Sequence, residues 1–229
     1  FLAATLNDDG WLAVTAERDN CKGAVDVYSA QGDLMFTFRS SQRFVTDAYV
    51  TDDDSYLAAV TLGQEDSVFV SNIVLYDLTE TEPVADYDIS DGLVLEISQQ
   101  DNRIVTVSDT VLTLADPKGT VEGSYSYGGE YLREYDTAGD DFTVLLLNRY
   151  QSGSLGRLVT VDEKGEEIAS LDISDEVVGL SAAGRYIAVL YIDHLEVYNQ
   201  DLQTYATLED TGYARDILMR SDGSVLLLA

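Results

Sequence analysis

The stretch that decides the fold is LNDDGWLAV, from Leu6 to Val14. It joins the end of one apolar strand to the start of a second through a tight polar turn. The pattern returns five more times in the 229 residues, as VTDDDSYLAAV from Val50, SQQDNRIVTV from Ser98, TAGDDFTVLL from Thr137, LSAAGRYIAV from Leu180 and MRSDGSVLLL from Met219. One such unit is too small to bury its own apolar faces, so units of this kind stack on copies of themselves. The sequence therefore predicts a repeat architecture.

The second repeat shows the internal order most clearly. Its predicted strands cover residues 44–51, 56–62, 73–78 and 84–89, which we label a to d. Strands b and c of later repeats, such as FTVLLL from Phe142 and YIAVLY from Tyr186, are apolar on successive residues, which predicts burial on both faces. The d strands, such as MFTFRS from Met35, alternate as half-exposed edge strands do. Four strands in about 40 to 45 residues is the spacing of β-propeller blades.

We therefore predict an all-β fold: a β-propeller of four-stranded antiparallel blades, with five complete repeats and a partial sixth that stops after strand b. No linker interrupts the repeats, so residues 1–229 are predicted to form a single domain. The chain has no initiator Met and opens on an apolar strand, and we expect it to be a piece of a longer product. Strands c and d of the last blade would then come from other residues, or the ring is open.

The repeat resembles a known superfamily. A hairpin of the form strand, Ser/Asn/Asp-Asp-Gly, strand, followed by an aliphatic-Ala-Val run, is similar to the blade motif of bacterial propellers of the TolB-like, YVTN and WD-repeat-like kinds. The overall pattern also resembles membrane-anchored propellers of unknown function in Gram-positive bacteria. This resemblance implies the architecture and an extracytoplasmic, anchored location, whereas the lone Cys21 is compatible with the cytoplasm as well as with an oxidising exterior. It implies little about activity, because propellers serve as scaffolds, binding modules and enzymes.

The charge of the chain restricts its partners. The formal net charge is −29, from 42 acidic and 13 basic residues. Binding to duplex backbones or anionic membranes depends on Lys and Arg, so we expect neither nucleic acid nor the membrane surface as a partner. No stretch reaches the roughly 18 to 20 apolar residues that cross a bilayer, so this segment is not expected to insert. The acidity has two explanations, an adaptation to high salt or the use of Asp in turns, and the turns hold most of the Asp residues.

Most residues that could carry chemistry have a structural explanation. The acidic turns Asp8-Asp9-Gly10 and Asp52-Asp53-Asp54 lack the alternating ligand spacing of calcium loops, so turn chemistry is favoured over a metal site. His194, the single histidine, has no nucleophile motif near it and is interpreted as a surface turn residue. One Trp cannot build the docking repeats of quinoproteins, and one His cannot form a metal cluster. We expect no cofactor and no metal.

The candidate ligand site is the mouth of the central channel, which strand a lines in a propeller. Three a strands carry a polar pair with at least one charge, and tyrosines accompany two of them. These residues are Tyr131, Arg133, Glu134, Tyr213, Arg215, Asp216 and Asp47 with its neighbour Thr46. One explanation is a ring of mutual salt bridges that satisfies the channel wall. The other is a polar funnel in which Tyr and Arg recognise a sugar or peptide.

These observations favour a non-enzymatic interaction or ligand-binding propeller whose partner is a protein, a peptide or a glycan. The alternative is a carbohydrate-active or other hydrolytic propeller that uses channel carboxylates. Sialidase-type turn motifs are absent from the sequence, yet its many carboxylates leave a glycosidase pair open. Two carboxyl groups facing each other across a pocket at about 5 to 9.5 Å would favour the hydrolytic alternative.

Overall fold

The chain folds into short strands joined by tight turns. The structure is a computed structural model that describes residues 3–89 and 92–229. Its 22 strands form six antiparallel sheets, and in each of the first five sheets four strands lie in sequence order. We number the sheets 1 to 6 and keep the labels a to d for the strands of each sheet.

The strand bounds follow the repeats. Sheet 1 contains β1 (Ala4–Leu6), β2 (Leu12–Ala16), β3 (Gly23–Tyr28) and β4 (Leu34–Ser40), and sheet 2 contains β5 (Phe44–Val50), β6 (Tyr56–Glu65), β7 (Val68–Asp77) and β8 (Pro83–Ile89). Sheet 3 contains β9 (Val94–Gln100), β10 (Arg103–Ser108), β11 (Val111–Ala115) and β12 (Val121–Ser126). Sheet 4 contains β13 (Tyr131–Asp136), β14 (Phe142–Asn148), β15 (Gly156–Asp162) and β16 (Glu167–Ile173). Sheet 5 contains β17 (Val177–Ala183), β18 (Tyr186–Tyr191), β19 (His194–Asn199) and β20 (Thr204–Glu209), and sheet 6 contains β21 (Asp216–Met219) and β22 (Val225–Leu228). The prediction of five complete four-stranded repeats and a partial sixth is confirmed.

The a–b turn explains why the repeats share Asp and Gly. In every repeat this turn holds one residue with a positive φ angle, a conformation that Gly adopts freely and Asp tolerates better than most side chains. The six residues are Gly10 (84°), Asp54 (56°), Asp101 (51°), Asp141 (58°), Gly184 (58°) and Gly223 (83°). The prediction that these acidic stretches form the turns between strands a and b is therefore confirmed.

Strands b and c are buried on both faces, as predicted. In β18 the side chains of Ile187 and Val189 belong to the apolar cluster shared with sheet 4, whereas Ala188 and Leu190 belong to the cluster shared with sheet 6. Every residue of β14 is buried. Each aliphatic side chain transferred from water to these layers contributes about 1.5 to 3 kcal/mol, so the layers between sheets are the main source of stability.

The outer strands differ from one another. Strands β4 and β8 largely alternate between exposed and half-buried residues, as predicted for edge strands. Strand β20 is exposed at every residue, which the sequence did not predict. In the described part of the chain sheet 6 consists of strands a and b only, so it has no outer strands beside β20 to cover it.

The chain divides into two compact units, residues 1–122 and residues 123–229. The boundary falls within β12, and the prediction of a single domain stays a prediction. In the first unit the innermost strands β1 and β5 are linked by Asn7, whose side-chain amide donates to the Thr51 carbonyl oxygen at 3.0 Å. In the second unit the innermost strands are β13, β17 and β21, and Gly139 and Gly184 form a parallel bridge beside the first two.

The open edge of sheet 6 is the strand β22. Among the described residues β22 pairs only with β21, and its Leu226 and Leu228 are more than half exposed. The expectation that further strands cover this edge stays a prediction. No helix in the described part of the chain has the length and apolar character needed to cross a membrane.

Candidate functional site

The predicted site residues of the second unit lie at one end of its sheets. In an antiparallel sheet the b–c loop and the d–a connection share one end, which we call the b–c end. Tyr131 is the first residue of β13, and Asp216 is the first residue of β21. Both strands begin at the b–c end, because each follows a d–a connection. Tyr131 and Tyr213 are 47% and 60% exposed, and the side chains of Arg133 and Arg215 are exposed as well.

A β-bulge separates the two members of the Arg133-Glu134 pair. The register between β13 and β14 skips Arg133, so Arg133 is the extra residue and Glu134 faces the ladder again. The same skip occurs at the matching place in three other a strands, at Thr46, Leu95 and Val178. These bulges could not be predicted from the sequence, because a repeat pattern does not reveal one unpaired residue.

The carboxylates that follow the bulges bond to backbone rather than to arginine. The Glu134 carboxylate accepts a hydrogen bond from the Leu180 backbone N–H in β17 at 3.3 Å. Burial raises the pKa of Glu134, and the nearby Asp216 carboxylate raises it further, whereas Arg133 lowers it. Within the described residues no ion pair joins Arg133 to Glu134 or Arg215 to Asp216. Glu134 thus bonds to the neighbouring strand, and Asp216 Oδ1 accepts a hydrogen bond from the Ile217 N–H of its own strand. Of the two explanations for the polar pairs, mutual salt bridges receive no support at these two residues.

Asp136, two residues after Glu134, makes the tighter contact with β17. Its Oδ2 accepts a hydrogen bond from the Ala182 N–H at 2.8 Å, and its Oδ1 accepts one from the Ala138 N–H at 2.8 Å. Ala182 is only 3% exposed, so its N–H has no access to water. Burial raises the pKa of Asp136. Asp136 is not among the predicted site residues, because its partner belongs to the next sheet and is not visible in the sequence.

Asp47 belongs to the first unit and also bonds to backbone. It is half-buried in β5, and its Oδ1 accepts a hydrogen bond from the Ala48 N–H at 2.9 Å. Burial raises the pKa of Asp47, and the hydrogen bond from Ala48 lowers it. This carboxylate thus bonds to the backbone of its own strand.

A polar pocket opens beside Arg133. Its volume is about 420 Å³, and its wall includes Arg133, Asn148, loop residues 151–154, Asp175 and Glu176. We call it the arginine pocket. The side chain of Arg133 makes no hydrogen bond or ion pair with any other residue in the described ranges. Its guanidinium is therefore free to meet a ligand with five N–H donors.

A second depression, the sheet 4–5 groove, shares Ile173 and Asp175 with the arginine pocket. It has a volume of about 260 Å³ and lies against Tyr191, His194, Glu196, Tyr198 and Leu202. His194 stacks on Tyr191 with ring centroids 4.5 Å apart and 9° between the planes, so it is packed rather than free in a turn. Its Nδ1 lies 2.7 Å from Asp193 Oδ1, and this contact raises the pKa of His194.

One residue of this groove departs from the repeat. The c–d turns of sheets 1, 3 and 4 hold Gly32, Gly119 and Gly165 at a positive φ angle. Sheet 5 has Leu202 there, with φ 55°, although a bulky side chain is disfavoured in this region. Its side chain is buried in the cluster that contains Tyr198. This exception to the repeat is the sequence signal that could have located the groove.

The acidic turns hold their own backbone. Asp53 Oδ1 accepts hydrogen bonds from the Thr51 hydroxyl at 2.6 Å and the Ser55 N–H at 3.2 Å. Asp222 Oδ1 accepts two from Ser224 in the same way. In residues 3–89 and 92–229 no three His, Cys, Asp or Glu side chains are placed to hold a metal ion together.

Comparison with known proteins gives a family without a known role. Residues 2–209 match the model of a family described as "Family of unknown function (DUF5711)". The chain belongs to this family. No curated protein matches the sequence.

Solved structures resemble this member of the family in fold. The Hsv2 protein of Kluyveromyces marxianus is 14% identical with a TM-score of 0.59, and the match covers 99% of this chain and 68% of that one. The C-terminal WD40 domain of Sif2 is 14% identical with a TM-score of 0.55, over 98% of this chain and 77% of that one. The WD40 domain of SCAP from fission yeast is 6% identical with a TM-score of 0.63, and the match covers 91% of this chain and 55% of that one. These identities are too low to indicate more than the fold, and the prediction of a β-propeller is confirmed.

Proposed function

We propose that this chain is a non-enzymatic interaction module that binds a protein, a peptide or a glycan through the b–c end of its second unit. The observation that carries the proposal is the pair of exposed arginines, Arg133 and Arg215, whose side chains make no hydrogen bond or ion pair in the described chain. The sequence holds 42 acidic residues and only 13 basic ones, so an arginine would easily find a carboxylate within the fold. Arginines left free in such a chain are suited to an external partner.

The surroundings of the two arginines support this assignment. Exposed tyrosines flank them, and the b–c end also presents Tyr150, Leu155 and Ile192, each more than half exposed. Tyr and Arg are the side chains most enriched where binding energy concentrates, because they bury a large area and keep a polar handle. The likeness to WD40 domains is consistent with a binding role, by analogy of fold alone.

The hydrolytic alternative receives less support. A general acid needs a carboxyl group whose pKa is raised and which faces the substrate. In the described part of the chain, the carboxyl groups for which a raised pKa is found include Asp47, Glu134 and Asp136. Each accepts hydrogen bonds from backbone N–H groups, and this role in packing accounts for its position.

The proposed location is extracytoplasmic, with an anchor in residues outside this sequence. The resemblance to anchored propellers motivates this proposal, and the strong negative charge would keep such a module soluble and away from anionic lipid. Protease added to intact cells should degrade the full-length protein. Complete protection, with degradation only after lysis, would contradict the proposed location.

The proposed function is tested by a search for ligands followed by mapping. A random dodecapeptide phage library and a glycan array are screened against the immobilised chain, and each binder is titrated into ¹⁵N-labelled protein. We expect the largest chemical-shift changes at Tyr131, Arg133 and loop residues 151–154. Binders that shift only residues of the opposite end, or the absence of any saturable binder, would contradict the proposal.

A further inference from the structure

We propose that the sheet 4–5 groove is a recognition site for the side chain of a lysine or arginine supplied by the partner. The proposal rests on the interaction function above and names the chemistry of one contact. Three acidic residues line the groove, Asp172, Asp175 and Glu196. The single lining residue that can carry a positive charge is His194. A cation is therefore the ligand whose charge complements the groove.

The position of one carboxylate is fixed by the fold. The Tyr198 hydroxyl donates a hydrogen bond to Glu196 Oε2, and the Tyr191 hydroxyl lies 3.2 Å from the Tyr198 hydroxyl. Tyr191 and Tyr198 are 5% and 3% exposed, so this network is anchored in the core of sheet 5. Burial and the hydrogen bond to Glu196 raise the pKa of Tyr198, which keeps its hydroxyl a donor at neutral pH. A carboxylate held in this way loses little freedom on binding a cation.

The shape of the groove fits a side chain rather than a whole cofactor. Its volume of about 260 Å³ is below the roughly 300 to 1,000 Å³ of ordinary small-molecule sites. Leu171, Ile173 and Leu202 supply an apolar wall. Lysine and arginine bury their methylene stems on apolar surface and keep the charged head at a polar rim. The Leu202 side chain packs in the apolar cluster that contains Tyr198, which keeps this part of the wall in place.

The groove and the arginine pocket meet at Ile173 and Asp175. The arginine pocket contains Arg133 beside Asp175 and Glu176, whereas the groove has acidic residues and no arginine or lysine in its lining. A partner segment with an acidic or amide group near a basic residue would complement both. This arrangement distinguishes a peptide from a neutral glycan, which has no cation to place in the groove.

The test uses capped single amino acids as ligands. N-acetyl-lysine methylamide and N-acetyl-arginine methylamide are titrated into ¹⁵N-labelled protein, with N-acetyl-norleucine methylamide as the neutral probe of similar length. We expect saturable shifts at Tyr191, Glu196 and Tyr198 for the two cations, with Kd on the order of 1 mM, and at least tenfold weaker binding of norleucine. Equal binding of all three probes, or no saturation by about 50 mM, would overturn the proposal.

Variants separate the groove from the general acidity of the surface. Glu196→Gln retains an oxygen for the Tyr198 hydroxyl, and Asp172→Asn changes an exposed carboxylate of the same groove. Each should weaken lysine binding at least fivefold. Asp141→Asn removes one charge from the a–b turn of sheet 4 at the opposite end and should leave binding unchanged. An equal loss in all three variants would mean unspecific attraction and would contradict the site. Loss of cation binding has no bearing on Arg133-dependent ligands, so failure of the groove and failure of the proposed function give different results.

Discussion

The hydrogen bond between Asp136 and the Ala182 N–H should be the most sensitive link between the innermost strands β13 and β17. Replacement by Ala removes the acceptor of two backbone N–H groups, each at 2.8 Å. Hydrogen bonds to a charged group contribute about 1.5 to 3 kcal/mol, and a buried N–H left without a partner costs about 1 to 3 kcal/mol. Because burial raises the pKa of Asp136, desolvation of the charge offsets part of this gain. We expect Asp136→Ala to lower the free energy of unfolding by about 2 to 3 kcal/mol.

Two further variants test the reason for this loss. Asp136→Asn keeps one carbonyl oxygen for the Ala182 N–H and carries no charge to desolvate, so it should cost less than about 1 kcal/mol. Glu166→Ala changes an exposed acid in a turn of the same sheet and should stay within about 0.5 kcal/mol of the parent. Urea unfolding followed by far-ultraviolet circular dichroism measures all four proteins. An Ala variant as stable as the parent, or an Asn variant as damaged as Ala, would refute the reasoning.

The pH dependence of the stability of the parent and Asp136→Asn tests the direction of the Asp136 pKa shift independently. The pKa of Asp136 is raised in the folded state, so its contribution to stability is complete below the pKa of the unfolded chain and is lost as pH rises through the folded value. The free energy of unfolding of the parent minus that of Asp136→Asn should therefore be larger at about pH 4 than at about pH 7. A difference that grows with pH would show that the folded protein prefers the charged form.

Three further predictions concern other parts of the chain. His194 is the single histidine, so its C2 proton gives one resonance whose titration midpoint should lie above the usual value of about 6.5 and fall in Asp193→Asn; an unchanged midpoint would contradict the contact. Because Leu202 has a φ of 55°, the Leu202→Gly variant should be more stable than the Leu202→Ala variant by about 1 kcal/mol in urea unfolding. The reverse order would contradict the left-handed backbone at this position. Millimolar calcium should leave the melting temperature equal to that in sodium chloride of the same ionic strength, because the acidic turns bond to their own backbone; a saturable rise with calcium would contradict this assignment.

The sequence predicts the turns and the buried strands because both depend on local chemistry. A tight a–b turn needs one residue at positive φ, so the residue types of Gly10 and Asp54 are enough to mark it. Consecutive apolar residues in β14 predict burial on both faces, because an edge strand would alternate. Because these signals recur once in each repeat, their number in the sequence predicts the number of sheets.

The partners of polar side chains could not be predicted, because they lie in neighbouring sheets. In the sequence Glu134 and Asp136 are simply two acidic residues of one strand. Their role as hydrogen-bond acceptors depends on where β17 places the backbone N–H groups of Leu180 and Ala182. The bulge at Arg133 is equally hidden, since one unpaired residue leaves no periodic trace. Leu202 is different: its place in a turn that holds Gly in sheets 1, 3 and 4 is visible in the sequence once the repeats are aligned.

The most direct test of the account is the affinity of a selected binder for two double variants. Arg133→Ala with Arg215→Ala removes two positive charges from the b–c end of the second unit, and Lys164→Ala with Arg220→Ala removes two from turns at the other end. Both double variants should melt close to the parent, since none of the four side chains makes a hydrogen bond or ion pair in the described residues. For dodecapeptides selected on the parent chain, we predict that the first pair raises Kd at least tenfold, or about 1.4 kcal/mol, and that the second pair leaves it unchanged. Equal Kd values for the two double variants would contradict the assignment of the b–c end as the binding surface.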